Sequence, residues 1–275
     1  MKNMMTFLLL FASLFTYAQK HKLVEIWSTD AVVATPESVL PDVKDNKLYV
    51  SLIDGEPWGV DGKGGIGRMT STGTQYDSLW FTGLNAPKGL GVYKNKIYAA
   101  DISDVAVVDV PTAKLIKKIP IEGASGLNDI TVTDGGIVYV SDSKTNRIWK
   151  ITDDKPSLYL ENITGANGLK AVRDDLYFAK GPLLMKADSK KQITQIADVG
   201  QGIDGIEPIG NGDFLVTSWS GYIFYVYASG QSELLLDTHE MKKNTADIGY
   251  DPVKKIVYVP TFFDRRIVAY QLSGM

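Results

Sequence analysis

The chain of 275 residues contains no cysteine and only two histidines, His21 and His239. Disulfide frameworks, thiolate metal sites and cysteine nucleophiles are therefore absent, and a multi-histidine metal site or a histidine-based triad has almost nothing to be built from. Excess positive charge is also lacking: 29 Lys and Arg stand against 32 Asp and Glu, for a formal charge of −3. That balance excludes a phosphate-neutralising surface, so nucleic acid is not an expected partner. Long apolar runs are confined to the start. Lys2 precedes an apolar stretch from Met4 to Phe15, and Thr16-Tyr17-Ala18 offers small residues before Gln19. This pattern predicts a secretory signal peptide over residues 1–18 rather than a transmembrane anchor, and hence an exported protein, periplasmic or secreted. Any chemistry must rest on oxygen ligands, carboxylates and amines.

What is present is a repeat. In six copies a polar residue opens an apolar stretch, and about eleven residues later comes a second apolar strand, centred on tyrosine in five of them. The copies start at Glu37 (with Tyr49), Lys88 (Tyr98), Asn128 (Tyr139), Asn167 (Tyr177), Asp204 (Leu215) and Asp247 (Tyr258). A steady inner offset with variable outer spacing is the mark of a repeated strand pairing joined by loops of different length. Each unit reads as four short strands; in the third they are 129–132, 138–140, 147–150 and 157–160. No sustained helical period follows the leader. The expected fold is all-β: a six-bladed β-propeller of four-stranded blades forming one domain over residues 19–275. The sixth unit supplies only three strands, so residues 23–27 are expected to complete it, antiparallel to 266–272, hiding two sheet edges.

The first strand of a propeller blade lines the central channel. The six opening residues should therefore meet at one mouth, with small neighbours such as Gly89, Gly168 and Gly205 fitting a crowded axis. Three carboxylates, two amides and one ammonium would converge there. Crowded carboxylates raise one another's pKa unless a cation compensates, and hard oxygens suit calcium, magnesium or manganese. Ordered water, or Lys88 neutralising a carboxylate, satisfies the same geometry without a metal.

With Glu37 in the first blade, Asn128 in the third, Asn167-Gly168-Leu169 in the fourth and Asp204-Gly205-Ile206 in the fifth, the chain from Ala34 onward resembles the senescence-marker-protein/gluconolactonase/luciferin-regenerating-enzyme-like family. The resemblance implies a divalent cation, calcium first with magnesium, manganese or zinc as alternatives, held by Glu37, Asn167 and Asp204. Asn128 would lie beside the substrate. It further implies a sugar acid or its lactone as the family's kind of ligand. For a metal with an open position, hydrolysis of a small lactone or ester is the simplest reaction, and a carboxylate of the mouth, Asp204 or Asp247, is the candidate for moving the proton. Two departures stand out. Thr35-Pro36-Glu37-Ser38 replaces a glycine-rich setting of the glutamate, and Gly126 stands where some members carry a substrate-gripping arginine, leaving Lys88 as the replacement positive charge. The alternative reading is a non-catalytic propeller that binds a carbohydrate, peptide or protein partner.

Four other patterns are set aside. Gly62-Lys63-Gly64-Gly65-Ile66-Gly67 fits a dinucleotide fingerprint without its strand–helix context. It is read instead as the long first-blade loop entering a strand around Arg68-Met69, with Trp58 of that loop placed to cap a binding face. His239, beside Asp237 and Glu240, is read as a surface histidine. Asn162-Ile163-Thr164 is a chance sequon, and the repeated tyrosines are packing residues.

Overall fold

A computed structural model describes residues 20–274, so the signal peptide expected over residues 1–18 lies outside the described residues. The described chain forms six antiparallel four-stranded sheets arranged as a propeller, with two single-turn 3-10 segments as its helical content. The first strand, β1 (Lys22–Ser28), belongs to the last blade, while β2 (Pro36–Asp42), β3 (Lys47–Leu52), β4 (Gly64–Thr70) and β5 (Asp77–Leu84) form the first. The inner strands of blades two to six are β6 (Pro87–Tyr93), β10 (Leu127–Val132), β14 (Ala166–Val172), β18 (Ile206–Gly210) and β22 (Gly249–Asp251). No described helix is long and apolar enough to cross a membrane. The glycine-rich fingerprint leads into no helix, as expected, but the strand starts earlier than expected, β4 already taking in Gly64 to Gly67; a Cβ on Gly64 would meet the Asn85 carbonyl at 2.6 Å and one on Gly65 the Phe81 carbonyl, so these two glycines serve close strand approach.

The apolar alternation of each strand is spent between blades. Six core clusters lie between consecutive blades, one for each interface; that between blades two and three joins Tyr98, Val105 and Val107 to Leu127, Val140 and Trp149. The repeated aromatic position behaves as packing residues should: Tyr49, Tyr98 and Tyr258 are buried, and Tyr177 crosses to Phe214 of the next blade at 4.5 Å between ring centroids.

Ring closure follows the expected antiparallel pairing. β1 pairs antiparallel with β24 (Ile267–Ser273), from Lys22 opposite Ser273 to Ser28 opposite Val268, with a bulge between Glu25 and Trp27. A side-chain latch supplements the ladder: His21 stacks on Tyr225 at 3.7 Å, and its backbone N–H and ring nitrogen meet the two Glu233 oxygens at 3.0 and 2.9 Å. Removing residues 20–28 would bare the edge of β24 and release this latch. The truncated protein is expected to aggregate, or to melt roughly 10 °C lower; an unchanged melting temperature by calorimetry would show that closure rests elsewhere.

Candidate functional site

The polar residue that opens each repeat sits where its strand leaves the regular ladder. In the first four blades the inner pairing slips at one place: between Pro36 and Val39, Pro87 and Leu90, Leu127 and Ile130, and Ala166 and Leu169. Such a bulge re-aims side chains, here turning Glu37, Lys88, Asn128 and Asn167 to the mouth. Backbone N–H groups freed nearby are met by hydroxyls of the adjacent strand: Ser38 N donates to Ser51 Oγ (2.8 Å), Asp129 N to Ser141 Oγ (3.0 Å) and Gly205 N to Thr217 Oγ1 (2.7 Å). The crowding expected at the axis is present. A Cβ on Gly89 would lie 2.6 Å from Asp129 Cα, one on Gly205 2.8 Å from the Ile248 nitrogen, and one on Gly168 would collide with the Asp204 carbonyl oxygen.

Five of the six repeat-opening residues converge. Glu37, Lys88, Asn128, Asn167 and Asp204 line one cavity of about 380 Å³, together with Pro57, Trp58, Trp219, Phe262 and Phe263. Asp247 differs from the expectation. A parallel bridge between Ser38 and Asp247 brings its carboxylate onto the Ser38 hydroxyl at 2.6 Å, so it ties the sixth blade to the first and does not line the cavity. Deeper in the channel lie Asp129, whose carboxylate accepts from the Ile130 and Leu169 N–H groups and so joins the third blade to the fourth, and the Lys170–Glu207 pair at 2.7 Å.

The two amides are oriented by their own donors. Asn167 Nδ2 donates to Asp204 Oδ1 at 2.7 Å, and Asn128 Nδ2 donates to Ser143 Oγ at 3.0 Å. Their oxygens are left buried without a hydrogen-bond partner, and so is Glu37 Oε2. An orphaned buried acceptor costs about 1–3 kcal/mol, and three on residues that line one cavity are suited to a cation or a strong donor. Among the described residues no group of three or more His, Cys, Asp or Glu side chains is spaced to hold a metal. The cation-compatible set is instead two carboxylates and two amide oxygens, a hard, all-oxygen donor set of the kind calcium and magnesium take.

Burial dominates the electrostatics. It raises Glu37 well above the ordinary carboxylate range, Lys88 opposing the shift while Asp204 and Asp247 add to it. Burial pushes Asp204 up to about 6, against the Asn167 hydrogen bond and the Lys88 charge, and pushes Asp247 up to about 8, against its Ser38 bond. Burial also lowers Lys88, which Glu37 and Asp204 partly restore and Lys144 depresses further. Carboxyls raised in the folded state bind protons that the unfolded chain has released. The stability they confer is complete below the ordinary value near 4 and is lost as pH rises through about 6 for Asp204 and about 8 for Asp247. Chelator-treated protein is therefore expected to be less stable to urea at pH 8.5 than at pH 5, with a shallower slope in Asp204→Asn. Stability that climbs across this range, equally in both proteins, would contradict these assignments.

Sequence reasoning missed the wall above this floor. Trp58, as expected of its long loop, covers the mouth: the Lys88 ammonium lies 4.3 Å from its ring centroid and that of Lys144 4.7 Å. Lys144 occupies the space over Gly126, where a Cβ would meet its Cγ at 2.6 Å, and its turn is held by Asp142, which accepts from the Lys144 and Thr145 N–H groups. Two lysines thus stand on the side where Gly126 supplies no charge. Trp219, Phe262 and Phe263 come from the corresponding second-to-third-strand turns of blades five and six. No repeat signal marks these turns, because their length and composition differ from blade to blade. His239 is exposed and bonded to Asp237 (2.7 Å) and Glu240 (2.9 Å), away from the cavity, as a surface histidine should be.

The fold and mouth are those of a six-bladed β-propeller. No family model and no curated protein matches the chain. Among solved structures it is similar to a streptogramin B lyase (TM-score 0.64, 12% identity, 92% of this chain and 98% of that one). It is also similar to luciferin-regenerating enzyme (TM-score 0.62, 13% identity, 89% and 93%) and to a chain of a nidogen/laminin complex (TM-score 0.63, 14% identity, 76% and 82%). At these identities the likeness establishes the propeller architecture, which here spans both enzymes and a protein complex.

Proposed function

We propose that the protein is an exported, divalent-cation-dependent hydrolase of a small lactone or ester. The observation that carries this reading is the set of three partnerless buried oxygens, Glu37 Oε2, Asn128 Oδ1 and Asn167 Oδ1, on residues that line one cavity with Asp204. Glu37, Asn167 and Asp204 would hold the cation, calcium by preference, with Asn128 beside the substrate. When bound, the ion supplies Lewis acidity that polarises the scissile carbonyl. The chain's own groups do the rest. Asn167 fixes Asp204 Oδ1, and the oriented Asp204 carboxylate takes a proton from the attacking water and passes it to the departing alkoxide as the ring C–O bond breaks. Lys88 offers its ammonium to the negative charge of the product carboxylate. Asp247 is better placed to hold Ser38, and through it the Glu37 strand, than to move protons.

A second reading, a non-catalytic binding propeller, is favoured by one observation: Lys88 brings a buried positive charge to the same mouth as the two carboxylates. A pH-stat assay of a lactone panel separates the two. The hydrolase reading expects base consumption with calcium-loaded protein that chelator abolishes. Absence of turnover on every lactone, by protein shown to bind calcium, would leave the binding reading.

A further inference from the structure

We propose that the cavity selects an aryl-bearing lactone, or one with a similarly flat apolar group, over a polyhydroxylated sugar lactone. This rests on the hydrolase reading and names the substrate class of the same site. The cavity is divided by chemistry. Its polar atoms lie on the floor, at Glu37, Lys88, Asn128, Asn167 and Asp204, whereas its wall is Pro57, Trp58, Trp219, Phe262 and Phe263. The wall is built, not incidental. Phe262, Phe263 and Trp219 meet edge to face, with centroids 4.8 to 5.8 Å apart. Phe262 is buried against Ile53, Ala86 and Ala246 and anchors the turn, although its φ of 38° lies in the left-handed region that bulky residues avoid. Strain of this kind persists where the surroundings enforce it and clusters at ligand clamps. It leaves Phe263 59% and Trp219 42% exposed at the rim, large apolar surfaces open to solvent in the absence of a ligand.

A flat apolar group laid on this wall removes that surface from water, while the carbonyl end reaches the oxygen-rich floor. A sugar lactone fits less well. Its ring hydroxyls would be desolvated against two phenylalanines and a proline, which offer no donor or acceptor. The ammonium groups of Lys88 and Lys144, both over Trp58, add attraction for the carboxylate that hydrolysis creates.

The test uses the product acids, which bind without turnover. In calorimetric titrations of the mature protein with calcium present, 4-hydroxy-4-phenylbutanoate is expected to bind at least tenfold more tightly than gluconate. Phe263→Ala and Trp219→Ala, at exposed positions, are expected to cut that ratio at least fivefold at an unchanged melting temperature. Equal or tighter binding of gluconate, no binding of the aryl acid, or a ratio indifferent to both substitutions would overturn the proposal. The hydrolase reading fails separately: tight, wall-dependent binding of the aryl acid with no hydrolysis of γ-phenyl-γ-butyrolactone would retain the selective pocket and remove the reaction. Hydrolysis of glucono-lactone in preference to the aryl lactone would do the reverse.

Discussion

Replacing Gly168 with alanine is expected to destabilise the propeller by at least ~3 kcal/mol, at the upper end of overpacking costs or beyond. The new Cβ would run into the backbone carbonyl oxygen of Asp204 and crowd Ile206, both on the neighbouring blade. Backbone cannot step aside as a flexible side chain can, so two inner strands must separate. A melting temperature lower by roughly 6–12 °C is the corresponding shift for a chain of this size. Because the displaced residue is Asp204, calcium affinity should fall with stability. Gly202→Ala is the control: no atom lies within 4 Å of its added methyl, and its cost should stay within about 0.5 kcal/mol. Equal melting temperatures for the two variants would refute the close approach of blades four and five.

Neutralising Glu37 or Asp204 should produce effects of opposite sign with and without calcium. Both carboxyls are buried and held above their ordinary range by that burial. Without a cation, Glu37→Gln and Asp204→Asn remove a desolvated charge and should leave the protein at least as stable as the wild type. With calcium at about a hundred times its Kd, the wild type gains about 2.7 kcal/mol by linkage, and the variants gain nothing. Lactone turnover should fall on the order of a thousandfold in either variant, since each loses a cation ligand and Asp204→Asn also loses the proton acceptor. This crossing of stabilities cannot come from misfolding, which would lower both values. Variants less stable than wild type by the same amount with and without calcium would mark the two carboxylates as structural.

How far the sequence was legible depended on what repeats. The six-fold spacing of polar opener and buried aromatic is imposed by the inter-blade cores and the axis, so it carried the blade count, the closure by β1, and the convergence of Glu37, Lys88, Asn128, Asn167 and Asp204. Asp247 broke ranks because its carboxylate is captured by the Ser38 hydroxyl of the first blade. Asp129 follows the third opener where glycines follow the second, fourth and fifth, and it fastens the third blade to the fourth through Leu169. The aromatic wall was invisible for the converse reason. Trp219, Phe262 and Phe263 sit in turns that bear no ladder constraint, and folding alone brings them to the cavity that Trp58 lines.

The most direct measurement is a calorimetric titration of calcium into chelator-treated mature protein at pH 8, above the value of about 6 that burial gives Asp204. One equivalent should bind to the wild type, and none to the Glu37→Gln/Asp204→Asn double variant, whose far-ultraviolet dichroism should match the wild type. No binding of calcium, magnesium or manganese up to millimolar concentration by folded wild-type protein, or undiminished binding by the double variant, would contradict a cation held by the oxygens of this mouth.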